Sequence, residues 1–148
     1  MHDVIPTTTR SERNLLAVSF ALFGLAGVTT TAVDSLGPTL GATASAVAGV
    51  YCVARYAETV SRRSHARLSL GLWIAFLVAS IGHAVGLRTV ASATPGPDDP
   101  VVVALTALTW MTLLSACAAT AFLAFREYSS PAVEEAAEER VLDGKYEY

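Results

Sequence analysis

Charge is what this sequence has least of. Asp, Glu, Lys and Arg make up 16% of its 148 residues, where a soluble domain carries about 25%. The shortage is concentrated in four stretches that hold none of them. These are Asn14–Val33, Ser35–Ala54, Leu68–Leu87 and Val101–Phe125, of 20, 20, 20 and 25 residues. A helix rises about 1.5 Å per residue, so 20 residues cover roughly 30 Å, the hydrocarbon thickness of a bilayer. Buried helices of soluble proteins are shorter, about 10–14 residues. The absence of charge over such lengths argues against a very apolar soluble bundle.

Cysteine is scarce too. Cys52 and Cys117 are too few for a disulfide scaffold. Neither belongs to a CxxC pair, which four-helix disulfide-generating and quinone-linked oxidoreductases use. Both fall at similar depth in their runs and read as two small apolar residues. There is no HExxH, no GxSxG and no pair of carboxylates inside a run, which removes metalloprotease, serine-hydrolase and aspartyl-type intramembrane chemistry. Only one histidine lies well inside a run, where membrane haem b needs a pair, and no run holds the glutamate that small four-helix drug exporters use. The expectation is a non-enzyme with no cofactor and no metal. Basic residues are nine Arg and one Lys, a bias that fits a high-GC, prokaryotic genome.

What is present predicts an all-α integral membrane protein, a four-transmembrane-helix bundle in the cell membrane. The expected organisation is an N-terminal segment 1–13, spans at about 14–33, 36–56, 68–87 and 101–125 within a domain 14–127, and a tail 128–148. The charges that remain set its orientation. Arg10 and Arg13 precede the first run, and Arg55, Arg62, Arg63 and Arg67 crowd the connector between the second and third. The other two connectors hold Asp34 alone and Arg88 against Asp98 and Asp99. Both termini therefore read as cytoplasmic, with Tyr56 and Tyr128 at the inner interface. The first run is too long for a signal peptide and lacks a small-x-small site, so it reads as a retained helix. The middle connector is a topology signal more than a lipid or nucleic-acid site; its charge is too small for a nucleic-acid domain. Ser130 and Pro131 look like a helix start, predicting a short acidic cytoplasmic helix over about Ala132–Leu142.

The segment Gly41–Gly49, GATASAVAG, has eight small residues in nine. In a bilayer, helices associate by close packing, and small residues let backbones approach. Gly41, Ser45 and Gly49 form one ridge, with Ala44 and Ala48 on a second small face. This predicts that the second helix is central. Two more ridges, Gly71/Ala75/Ala79 and Thr112/Ala116/Thr120/Ala124, predict a tight bundle with a face left for another chain, of its own kind or another.

His83 and Asp34 are the candidate ligand or proton site. His83 lies five residues before Arg88, roughly 7 Å below the outer edge, and Asp34 lies at that edge near Thr29, Thr30, Thr31, Thr39 and Thr106. The competing reading is that His83 bonds a neighbouring threonine or carbonyl and holds helices together, or snorkels outward. With no catalytic set, the sequence points to an accessory, assembly or structural subunit. Its partners are the bilayer and a homo- or hetero-oligomer, without nucleic acid. The alternative is a small oligomeric transporter or channel using His83 and Asp34; a sensor acting through the acidic tail comes third.

Overall fold

A computed structural model describes residues 10–30, 36–93 and 98–143. Five helices appear among the described residues, in order: α1 (Arg10–Thr29), α2 (Leu36–Thr59), α3 (Arg62–Val85), the short α4 (Leu87–Ser92) and α5 (Asp98–Asp143). No strand occurs among the described residues.

Local chemistry explains the boundaries. Pro38 and Pro100 fall in the first turns of α2 and α5, where a missing N–H costs nothing. The arginine-rich connector is not a loop. α2 runs on to Thr59, two residues turn the chain, and α3 begins at Arg62. Ser61 makes this possible: its backbone is extended (φ −65°, ψ 148°) and its hydroxyl accepts from the Ser64 N–H, satisfying a donor the new helix cannot. At its other end α3 stops at Gly86, whose φ of 101° suits only glycine and whose N–H bonds the Gly82 and His83 carbonyls.

Three helices are long and apolar enough to cross a membrane, over Leu36–Thr59, Arg62–Val85 and Asp99–Tyr128. α1 is the exception to the expected four. Its helix ends at Thr29 and carries Arg10, Glu12 and Arg13 at its start, which leaves 16 uncharged helical residues, Asn14 to Thr29. Residues 31–33, which complete the expected span, lie outside the described residues. The expected separate tail helix is also corrected: α5 continues unbroken through Ser130 and Pro131 to Asp143.

α5 is the centre of the bundle, because it packs on α1, α2, α3 and α4, while α2 and α3 barely meet despite their tight turn. Both sides of α5 are made of small residues. Ala118 joins Phe23 and Val53 in one cluster, and Ala116 and Ala119 join Leu72 in the other. The prediction of a central second helix is thereby overturned. Within GATASAVAG only Ala42 and Gly49 are buried, and Gly41, Ala44 and Ala48 are exposed. Gly49 is where the small segment is used: a Cβ there would lie 2.6 Å from the Phe23 ring, and Ser19 donates to the Gly49 carbonyl at 3.2 Å. The proposed ridge on the third helix is also not the packed one. Gly71 and Ala75 are exposed, and α3 turns His65, Ser69 and Leu72 inward instead.

α1 runs antiparallel along α2. Glu12 lies within electrostatic reach of Tyr56, Ser19 meets Gly49, and Ala26 shares a groove with Ala42.

Candidate functional site

Serine and threonine hydroxyls on these helices mostly close on carbonyls three or four residues back. Thr29 bonds Leu25 and Ala26, Thr30 bonds Gly27, and Thr106 bonds Val102. An apolar surrounding offers no water, so a hydroxyl takes the nearest helical carbonyl. Thr29, Thr30 and Thr106, three of the threonines expected to line an outward pocket around His83, thus have their protons engaged within their own helices.

His83 is exposed, and its Nε2 lies 2.9 Å from the Thr109 hydroxyl. Thr109 itself donates to the Leu105 carbonyl, so its oxygen accepts and His83 Nε2 is the donor. This is a cross-helix tie between α3 and α5, of the kind worth about 0.6 kcal/mol in membrane bundles. Asp34 lies outside the described residues, so the His83–Asp34 pairing has no geometry here.

The polar centre of the structure is elsewhere, at the arginine-rich end. His65 is fully buried, with 0% of its surface accessible. Its Nε2 stands 2.7 Å from the Ala119 carbonyl, and since a carbonyl only accepts, Nε2 carries the proton. Nδ1 is then an acceptor, buried, with no hydrogen-bond partner among the described residues. The ring lies 6.4 Å from that of Tyr56, tilted by 32°. One turn along α3, Ser69 pairs with the Thr120 hydroxyl at 2.8 Å, and a turn further Trp73 donates to the same oxygen at 3.0 Å. His65, Ser69 and Trp73 therefore form one stripe at spacing four that ties α3 to α5.

Sequence reasoning missed His65, because three arginines around it marked the segment as a surface connector. The signal was present: His65, Ser69 and Leu72 recur at i, i+4 and i+7, a helical face. Of the two tyrosines read as interfacial, Tyr56 is 8% exposed and Tyr128 is 81% exposed.

Arg126 was also missed. Its Nη1 donates to the carbonyls of Ala57 (3.0 Å) and Val60 (3.3 Å). These belong to the end of α2, where unpaired carbonyls and the helix dipole favour a cation. Nearby, Arg55 pairs with Glu58 at 2.6 Å, and Arg62 pairs with Glu127.

His65 is buried, both cysteines are free thiols with Cys117 exposed, and no group of three or more His, Cys, Asp or Glu side chains among the described residues converges as metal ligands would. Fold and polar contacts together define an all-helical protein with three helices fit to cross a membrane. Comparison with known protein families, curated proteins and solved structures finds no match.

Proposed function

We propose that this chain is a non-catalytic accessory, assembly or structural subunit of a cell-membrane complex, crossing four times with both ends in the cytoplasm. The observation that carries the reading is that the chain uses only half of its small-residue segment. Gly41, Ala44 and Ala48 face outward on α2, and a Cβ at Gly41 would meet nothing within 4 Å. On the opposite face of α2 an open groove of about 310 Å³ is bordered by Thr39, Ala42, Ala46 and Val47 of α2, Gly27 of α1 and Trp110 of α5. A surface of this kind lets a further helix come close, which is how membrane helices associate.

Purification in mild detergent is expected to bring down a second membrane polypeptide, either another copy or a different subunit. Ala44→Leu with Ala48→Leu should release it and leave the chain folded, because both positions are exposed. A chain that stays alone under all mild conditions, or a complex indifferent to this double change, would refute the proposal.

Two observations support the four crossings. α1 lies antiparallel to α2 along its length, from Glu12 beside Tyr56 to Ala26 beside Ala42. The arginines Arg10, Arg13, Arg55, Arg62, Arg63 and Arg67 then gather at one end, as the inner side of a membrane protein requires. A cysteine placed at the exposed Ser64 should react with an impermeant maleimide only after the cells are opened. Reaction in intact cells would invert the topology.

A further inference from the structure

We infer that the groove between α2 and α5 at the arginine-rich end holds one anionic phospholipid. The groove encloses about 460 Å³ and is lined by Ala54, Ala57 and Glu58 of α2 and by Phe122, Phe125 and Arg126 of α5. Its volume falls within the range of about 300–1,000 Å³ typical of small-molecule sites.

The arrangement of polarity identifies the occupant. On α2 the lining passes from Ala54 to Glu58, and on α5 from Phe122 to Arg126. Each step is four residues, about 6 Å along a helix. The two helices run parallel here, since Trp110 and Leu114 border the other groove with Thr43 and Val47, and Arg126 reaches Ala57 and Val60. Both walls therefore change from apolar to charged at the same level and in the same direction. Phe125 is the last residue of its uncharged run, so this level is the edge of the hydrocarbon layer. An acyl chain against Ala54, Ala57 and the two phenylalanines, with its head group at the charged end, matches that profile.

Charge complementarity selects an anionic head group. Arg55, Arg62 and Arg126 surround the charged end against Glu58 and Glu127, and Arg63 and Arg67 are exposed on the first turns of α3. Arg126 is held at the mouth by its bonds to α2. The Arg55–Glu58 and Arg62–Glu127 pairs are about half exposed, and such surface pairs are weak. Either arginine can turn to a phosphate, which it binds in a two-pronged fashion. This groove lies about 20 Å along α2 from the small-residue groove, counted from Thr43 to Ala57, so the two proposals stand or fall separately.

Native mass spectrometry of the full-length protein, equilibrated in mild detergent with phosphatidylglycerol or with phosphatidylcholine, tests it. The expected result is one retained phosphatidylglycerol per chain, favoured over phosphatidylcholine about fivefold, the ratio for one effective basic residue near anionic lipid. Ala54→Trp fills the groove and should lose the lipid. Phe125→Ala should weaken retention without touching the fold, because that side chain is 66% exposed; it decides the matter if Ala54→Trp does not elute as a folded species. Arg55→Ala with Arg62→Ala should erase the head-group preference. Retention unaffected by Ala54→Trp and Phe125→Ala overturns the assignment. So does equal retention of the two lipids, or a co-purifying helix protein, in place of lipid, lost with Ala54→Trp.

Discussion

Gly27→Ala is expected to destabilise the bundle by about 3 kcal/mol, at the upper end of the usual cost of overpacking. Gly27 of α1 faces Trp110 of α5 so closely that an added Cβ would overlap the indole's Cβ and Cγ. These are the stem of the side chain, not its flexible end, so relief requires the helices to move apart. Gly41→Ala is the matched control. The same methyl meets open space there, and an alanine for glycine in a helix is expected to add about 0.4–1 kcal/mol of stability through the unfolded chain. One substitution type thus carries opposite signs at two positions. Thermal unfolding in detergent, followed by circular dichroism, reads both. A Gly27→Ala protein as stable as the parent would mean that α1 and α5 do not approach as described.

The second large effect is expected at His65. His65→Ala removes a fully buried ring and should cost about 2–4 kcal/mol, by analogy with other large-to-small core changes. Most of that is volume, because the lost bond to the Ala119 carbonyl is worth on the order of 0.6 kcal/mol in a membrane bundle. The Ala119 carbonyl also lies within α5, whose own ladder uses it. His65→Leu keeps much of the volume and discards the unpartnered Nδ1, an acceptor that is costly to bury. It should therefore recover most of the stability that alanine loses. If the two variants are equally damaged, the hydrogen bond matters more than packing. If alanine costs less than about 0.5 kcal/mol, the size of a neutral surface change, His65 is not in the core.

The helical regions were largely legible because charge is excluded from them. Run edges at Ala54 and Leu68 predicted a surface connector, and here legibility failed for a local reason. Ser61 caps α3 early, so the arginines ride on helix ends and His65 enters the core between them. In the uncharged run from Asn14 to Val33 the described helix ends at Thr29, and residues 31–33 lie outside the described residues. Of the candidate site, His83 bonds Thr109, the contact named in its competing reading, and Asp34 lies outside the described residues.

Small residues in α2 announced close packing, and the sequence could not say on which side. Around a membrane helix, lipid and protein interior are equally apolar. Val47, Leu70, Leu77, Val78 and Ile81 all face outward, and nothing in their chemistry distinguishes them from the buried Val53 or Leu72. The contrast that reveals a soluble helix's inner face is missing. By itself, then, the sequence determined helix content, the apolar lengths and the clustering of arginines at one end, since each follows from the cost of placing charge in hydrocarbon. Only the tertiary structure decided that α5 is central, that His65 is buried and that half of GATASAVAG stays uncovered, because those depend on shape matching between faces of equal polarity.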